Sequence, residues 1–510
     1  MHRPIVYLVG AGPGDPGLLT LRGRECLEAA DFVLYDQLVS SQILRFAPPH
    51  AELMCVRELA SNHPDRWPQI HVKLIEEARK GKCVVRLKGG DPLIFGRGGE
   101  EADALREAGI PYEIVPGVTA ALAAGSYLEI PLTHRTHSSA VALITGHEHP
   151  GKPHSKLDWK AIAAFPGTLV IYMGFSRLSS IVPELIRYGK SPDTPAISVM
   201  RASCGEQLSV QATLGTIEQD IIAAGLTTPA LLMVGPVVGL KPAKSWFEKR
   251  PLLGKRILVT RPRKQALDFV HQLELRGAIA VTLPVIDIRP PADWSAVDLA
   301  QETLAQEGFD WLVFSSANGV EHFFDRLHSR GRDARSLGRT RIAVVGSATA
   351  AKLAEYHLRA DVAPDGAMNS ELLIEELHER ARGKRILLAL AAEARDLLRE
   401  QLSVVATVTS VVVYRQQNVL KPDHSAFDRL RRGEIDCVTL TSPNIALAFL
   451  EALDETIRGR IERGEIQLAA NSERCATVIR RAQLPVSIVA EEPTNSGMLN
   501  AICLAVRPTA

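Results

Sequence analysis

Three turns in the first half of the chain have the composition of loops that let a ligand touch the backbone. The apolar run Ile5–Val9 leads into Gly10-Ala-Gly-Pro-Gly-Asp15 and then a helical stretch, Leu18–Ala30. A second run ends at Tyr35-Asp36, where a dinucleotide fold would place its ribose-binding carboxylate. The spacing, however, is G-x-G-x-G rather than G-x-G-x-x-G. Pro13 removes an amide that would cradle a pyrophosphate, and Asp15 would set a negative charge beside it. The turn therefore suits close approach of an uncharged or zwitterionic nucleoside better than NAD. The second loop, Arg86-Leu-Lys-Gly-Gly-Asp-Pro-Leu-Ile-Phe-Gly-Arg-Gly-Gly-Glu100, joins an Asp91-Pro92 turn and several glycines to the positive charge of Arg86, Lys88 and Arg97. The third, Val115-Pro-Gly-Val-Thr-Ala-Ala121, ends a strand and opens a helix of small residues. Ile130-Pro-Leu-Thr-His-Arg135 and Gly167-Thr-Leu-Val-Ile-Tyr-Met-Gly174 follow.

In the second half the chemistry-bearing residues are hydroxyls, and they recur. Val313-Phe-Ser-Ser-Ala-Asn-Gly-Val320 is echoed by Thr439-Leu-Thr-Ser-Pro-Asn-Ile-Ala446, and Val345-Gly-Ser-Ala-Thr-Ala350 by Asn471-Ser-Glu-Arg-Cys-Ala476, both at an offset of 126 residues. A third pair, Ala363–Ser370 and Ala490–Ser496, lies at nearly that spacing. Each unit predicts a strand, a Ser/Thr turn capping a helix, then a second strand and capped helix. Two such lobes facing one another make a cleft lined by helix N-termini, which favour anions. A single Ser-x-Asn turn is an ordinary cap; repetition in register is what points to a site. The stretch His147-Glu-His-Pro-Gly-Lys-Pro-His154 invites a metal reading, but Pro150 and Pro153 break any helical face and no second ligand cluster is near. It reads as an inter-strand loop, and no metal is expected.

These turns need a scaffold. Short β-branched runs alternate with helical stretches along the whole chain, which predicts α/β architecture with largely parallel sheets. At 510 residues the chain holds several cores. The stretch Leu240–Pro251, rich in Pro and Lys and without period, reads as a linker over residues 241–253. It is flanked by a module over residues 1–240, with lobes of about 1–135 and 136–240, and a module over residues 254–510. With 59 Lys+Arg against 58 Asp+Glu, the formal charge of +1 excludes a generally polycationic nucleic-acid binder. Seven cysteines without a CxxC pair suit a reducing cytoplasm, and no apolar run is long enough to span a membrane. Nothing before the first strand resembles a signal peptide.

Taken in order, GAGPGD, YDxLVS, RLKGGDPxIFGRGGEE, PGVTAA, PLTHR, TGH and YMG, between about Ile5 and Gly239, resemble the uroporphyrinogen-III C-methyltransferases of the tetrapyrrole methylase family. The second module, about Leu253 to Ala505, resembles the uroporphyrinogen-III synthases through module order, the internal repeat, Ser315-Ser316, Tyr414 and Thr441-Ser442.

The first resemblance implies two α/β lobes with S-adenosylmethionine (SAM) between them, in a homodimer formed through this module. By motif position the SAM contacts would be Pro13, Gly89, Gly90, Asp91, Ile94, Thr119, Ala120, Met173 and Ala202, and Asp36 would be the base. Arg22, Arg86, Lys88, Arg97 and Arg135 are the cationic candidates for a polycarboxylate tetrapyrrole. The family's Gly-Lys-Arg, whose lysine is assigned as proton donor, reads Cys55-Val-Arg-Glu58 here, leaving Arg57 or Glu58 at that place and no donor assigned. The second resemblance implies flavodoxin-like lobes of about 254–287 plus 416–510 and 288–415. Linear hydroxymethylbilane would lie in their cleft, held by Ser315, Ser316, Thr441 and Ser442, with Tyr414 assisting departure of its hydroxyl. A Gly-Pro-x-Thr-Ala turn of this family reads Ser472-Glu-Arg-Cys-Ala476, placing Glu473 near a site for carboxylates. The expected activity is closure of hydroxymethylbilane to uroporphyrinogen III and its double methylation to precorrin-2, feeding sirohaem or cobalamin. The alternatives are a later precorrin methyltransferase, or a methyltransferase fused to a non-catalytic tetrapyrrole-binding module.

Overall fold

A computed structural model describes residues 4–59, 66–146, 157–364, 370–393, 397–421 and 424–505. The His147–His154 stretch and most of Ala363–Ser370 lie outside the described residues. The chain forms two compact units, Met1–Lys255 with Arg276–Ile279, and Arg256–Leu275 with Ala280–Ala510. Among the described residues it is α/β, with four five-stranded sheets.

The first sheet contains β1 (Ile5–Gly10), β2 (Phe32–Tyr35), β3 (Glu52–Cys55), β4 (Cys83–Lys88) and β5 (Tyr112–Val115), all parallel, in the order β3-β2-β4-β1-β5. Every residue of β4 is buried, as expected of a central parallel strand with helices on both faces. Two of those residues are Arg86 and Lys88, and burying a cation is costly unless it is paired. The second sheet has the order β6-β7-β10-β8-β9, from β6 (Val141–Thr145), β7 (Thr168–Tyr172), β8 (Pro195–Met200), β9 (Leu208–Thr213) and β10 (Ala230–Val234). Here the expectation of parallel pairing fails. Only β6 and β7 run parallel, and β10 is antiparallel to both β7 and β8. β8 and β9 are joined by the loop 201–207, too short for the crossover a parallel pair needs, so they form an antiparallel hairpin.

Residues 241–253, whose composition suggests a linker, pack against the helix Ala120–Leu128. Ser245 Oγ donates to the Tyr127 carbonyl at 2.6 Å and Trp246 Nε1 to the Ser126 carbonyl at 3.0 Å. Phe247 is buried 4.8 Å from the Tyr127 ring, and Lys241 pairs with Glu248 at 2.8 Å. Proline and lysine count there disguised an aromatic strap.

In the second unit, β11 (Arg256–Val259), β12 (Ile279–Thr282), β18 (Cys437–Leu440), β19 (Gln467–Ala470) and β20 (Ile488–Val489) form the sheet β12-β11-β18-β19-β20. The strands β13 (Ile286–Arg289), β14 (Trp311–Phe314), β15 (Arg341–Val344), β16 (Arg385–Ala391) and β17 (Thr407–Asn418) form β13-β17-β16-β14-β15. β13 and β17 pair antiparallel. The sequence repeat is a structural one. After β14 and β18, Ser316 and Ser442 cap their helices with φ −160° and −154° and accept N–H bonds from Gly319 and Ile445 at 3.1 and 3.2 Å. Gly346 and Ser472 hold the same place after β15 and β19.

Candidate active sites

In the first sheet the connections leaving the neighbouring strands β1 and β4 run to opposite sides, and open α/β sheets bind ligands at the carboxyl ends of such a pair. The two glycine loops sit there. Gly12 and Gly90 exchange backbone hydrogen bonds of 3.1 and 2.7 Å, so each loop extends its strand into the crevice. The loop after β5 closes the floor. A Cβ on Gly117 would stand 2.2 Å from the Gly90 carbonyl, and one on Gly10 2.6 Å from Gly117 Cα. Asp91 locks this corner, its two oxygens accepting from Leu93 N at 2.8 Å and Gly117 N at 3.0 Å. Asp15 ties the first loop to the second lobe, accepting from Tyr127 OH at 2.6 Å and donating its N–H to Ser203 Oγ at 3.2 Å.

Thr119 and the start of helix Ala120–Leu128 meet β7 through Tyr172, whose hydroxyl lies 2.7 Å from Thr119 Oγ1 and accepts from Ala121 N at 2.9 Å. Burial pushes that hydroxyl's pKa up. The Phe95 ring lies 5.0 Å from the Tyr172 ring, and the next residue, Met173, is exposed in a left-handed conformation with φ 53°. Leu93, Ile94 and Phe95 are exposed too. Ala202 lies between Arg201 and Ser203, at φ 45° and 73°, two strained residues in succession around one small side chain.

Asp36 follows β2 and is 30 % exposed beside these loops, while Arg86 behind it is 0 % exposed. Arg86 donates to Asp36 Oδ1 at 2.5 Å, to Glu101 Oε1 at 3.0 Å and to the Leu87 carbonyl at 3.1 Å. Lys88 donates to the same Glu101 oxygen at 2.7 Å. Burial, with the Arg86 charge adding to it, lowers the Lys88 pKa. Glu101, absent from the sequence expectations, is buried and pairs with both cations, Asp36 supplying the second negative charge.

Of the basic residues expected at the substrate, Arg86 and Lys88 are buried and paired with Asp36 and Glu101. Arg22 is held by Glu113 at 2.8 Å and Glu25 at 3.0 Å. Arg97, at φ 58°, precedes the helix Gly98–Glu107 and pairs with Glu100. Arg135 is exposed. Glu58 caps its own turn, accepting from Cys55 N at 2.8 Å, and both Arg57 and Glu58 are exposed. With its nearest cations spent, the crevice offers backbone groups and exposed apolar side chains. These suit a nucleoside with an amino-acid tail and a sulfonium centre, such as SAM, and do not suit a pyrophosphate.

In the second unit Tyr414 on β17 is buried against the core, with its hydroxyl 3.0 Å from Ser316 Oγ and its ring stacked 5.9 Å from His322. Burial lowers the His322 pKa. Ser315, Thr441 and Ser442 are partly exposed at the corresponding strand ends. The Asn of each repeat bonds away from its own helix: Asn318 accepts from Gln265 at 2.7 Å, and Asn444 donates to Gln416 at 2.9 Å. Glu473 is paired with Arg480, and Cys475 is buried with its thiol donating to the Leu440 carbonyl at 3.3 Å. Burial pushes that thiol up to about 12, so it stays protonated. A further residue missed in the sequence is Arg261, which donates to Asn495 Oδ1 at 2.5 Å.

Among the described residues no group of His, Cys, Asp and Glu could hold a metal, and no helix is long and apolar enough to cross a membrane. Fold and sites together define a class: a two-module α/β enzyme with a glycine-lined nucleoside crevice in one module and a hydroxyl-lined, helix-capped cleft in the other.

Residues 5–218 match the family model of Tetrapyrrole (Corrin/Porphyrin) Methylases, and residues 268–500 that of Uroporphyrinogen-III synthase HemD. The chain is 38% identical over 456 residues to the porphyrin biosynthesis protein HemD of Ruminiclostridium josui, covering 89% of this chain and 90% of that one. It is 41% identical over 340 residues to a uroporphyrinogen-III C-methyltransferase of Bacillus subtilis, covering 66% and 68%. A uroporphyrin-III C-methyltransferase from Thermus thermophilus, solved with S-adenosyl homocysteine, is 42% identical and covers 46% of this chain and 93% of its own, with a TM-score of 0.40. The chain belongs to the family of HemD-type porphyrin biosynthesis proteins, its first module a tetrapyrrole methylase and its second a uroporphyrinogen-III synthase.

Proposed function

We propose that this chain is a bifunctional enzyme of tetrapyrrole biosynthesis. The second module closes hydroxymethylbilane to uroporphyrinogen III, and the first methylates that product twice with SAM to precorrin-2. One observation carries the reading: the two halves match two families whose named reactions share uroporphyrinogen III as product and substrate.

The SAM sulfonium supplies the methyl group. The chain's own part is to orient the partners and manage the proton. The glycine floor, Thr119, Ala120, Met173 and Ala202 would hold the nucleoside, and alignment supplies most of the acceleration. Asp36, fixed by Arg86, would take the proton shed as the pyrrole carbon rearranges. In the second module the Tyr414 hydroxyl would assist departure of the bilane hydroxyl as water, with Ser316 fixing its direction. The capped helix starts at Ser316 and Ser442 would receive carboxylates. The turn Ser472–Ala476 favours catalysis over mere binding, because Glu473 is paired and Cys475 is buried, so neither charges the cleft. A homodimer through the first module and a cytoplasmic location complete the proposal. Seven cysteines, none of them in a disulfide, suit a reducing compartment.

The test of the methylase half uses the full chain with uroporphyrinogen III and SAM. Two methyl groups are expected per tetrapyrrole, and Asp36→Ala should lower the rate by roughly 10²–10⁴-fold with SAM affinity unchanged. An Asp36→Ala protein that methylates at the wild-type rate overturns the assignment of the base.

A further inference from the structure

In the sheet β12-β11-β18-β19-β20 the chain leaves β11 toward one edge and β18 toward the other, so the crevice lies between the carboxyl ends of these two neighbours. The ends are locked together: Thr260 Oγ1 donates to the Thr439 carbonyl at 2.5 Å and Thr439 Oγ1 to the Leu258 carbonyl at 3.1 Å, both threonines fully buried. Thr441 and Ser442 follow one strand, and Arg261 follows the other.

Arg261 differs from the arginines of this chain that carboxylates hold. Ion pairs with carboxylates hold Arg22, Arg86, Arg326, Arg330 and Arg431. Arg261 is half-buried and lies 5.7 Å from the Phe269 ring, yet its hydrogen-bond partner is a neutral amide, Asn495 Oδ1. Among the described residues no carboxylate lies within ion-pair distance of it; Asp268 acts one link away, accepting from Asn495 Nδ2 at 3.0 Å and Gln272 Nε2 at 2.9 Å. Desolvation lowers its pKa, with Asp268 opposing. A partly buried cation with no carboxylate in direct contact carries a desolvation cost that an anionic ligand would offset. Asn495 also begins the helix Asn495–Ala505, whose first turn Thr494 caps by accepting from Gly497 N at 2.9 Å. It belongs to the repeated segment Ala490–Ser496, to which no other role falls.

We propose that Arg261, oriented by Asn495, anchors a carboxylate of the polycarboxylate substrate of the second module. Arg261 is the binding residue and Asn495 a positioning residue, held by Asp268. The inference rests on the synthase reading. It adds a cation to a cleft otherwise supplied with hydroxyls and helix N-termini.

The test measures closure of hydroxymethylbilane by the full-length chain and by Arg261→Met, Arg261→Lys and Asn495→Ala. Methylation of supplied uroporphyrinogen III by the first module serves as the control for intact protein. Losing a charge-assisted bond should raise KM about tenfold or more in Arg261→Met. Arg261→Lys should recover part of the loss, and Asn495→Ala should shift KM in the same direction by less, with kcat little changed. Unchanged KM in Arg261→Met overturns the proposal. Should that variant not fold, Arg261→Lys decides: raised KM supports the anchor and wild-type KM overturns it. If the wild-type chain forms no uroporphyrinogen III, the synthase reading fails and the anchor with it. If wild type forms it and the variants match it, only the anchor fails.

Discussion

Arg86 occupies a position on the central strand of its sheet where an aliphatic side chain would ordinarily stand. Its charge is balanced by Asp36 in front and by Glu101 behind, which Lys88 shares. Removing one partner of such a network strands the others without compensation, at about 3–5 kcal/mol. Arg86→Met should therefore lower the melting temperature markedly and release Asp36, so that methylation falls further than stability loss alone explains. Glu101→Gln should destabilise in the same direction, because Arg86 and Lys88 then face each other with one fewer negative charge. Thermal melts paired with rates at a temperature where each variant is folded check both. None of this was legible beforehand. An Arg or Lys near the end of an apolar run reads alike whether it meets solvent or another side chain. Its partner Glu101 is 15 residues away, on a helix whose facing only the fold reveals. Asp36 was legible through the motif around it; what holds it was not.

Elements set the crevice by how closely their backbones approach. At Gly117 a methyl group would enter the space of the Gly90 carbonyl, which a rigid backbone contact cannot yield cheaply. Gly117→Ala should cost about 1–3 kcal/mol and weaken SAM binding, measurable by calorimetry, while the exposed Gly239, with open surroundings and no positive φ, should accept alanine with little effect. Another element-level device is Glu77 on the helix Arg66–Arg79, buried among Lys73, Lys80 and Lys82 at 2.9, 2.7 and 2.6 Å. Burial raises its pKa, but hydrogen bonds from the three lysines outweigh burial and hold it at about 2. A folded-state value below the unfolded one stabilises at pH above the usual carboxylate range, and that stability is lost as pH falls toward 2. Melting temperature measured from pH 7 to 2 should fall along this limb in wild type, whereas Glu77→Gln starts lower and is flatter. Capping was read correctly from sequence because it is local: Ser316 and Ser442 bond to amides three residues on. The antiparallel second sheet and the strap at 241–253 were not, since strand direction there follows from which strands pair, and the docking of Ser245 and Trp246 depends on residues more than a hundred positions away.

At the scale of the molecule, a nearly neutral chain of 59 basic and 58 acidic residues handles small polyanions by local means. In the first module Arg86 and Lys88 are paired with Asp36 and Glu101, and in the second the proposed anchor Arg261 joins hydroxyls and helix starts. The order of the modules couples two reactions in one polypeptide. The direct measurement is to give the full-length chain hydroxymethylbilane, with and without SAM, and identify the tetrapyrrole formed. Uroporphyrinogen III without SAM, and a product carrying two added methyl groups with it, are the predicted results. Formation of uroporphyrinogen I alone, with or without SAM, would contradict the account.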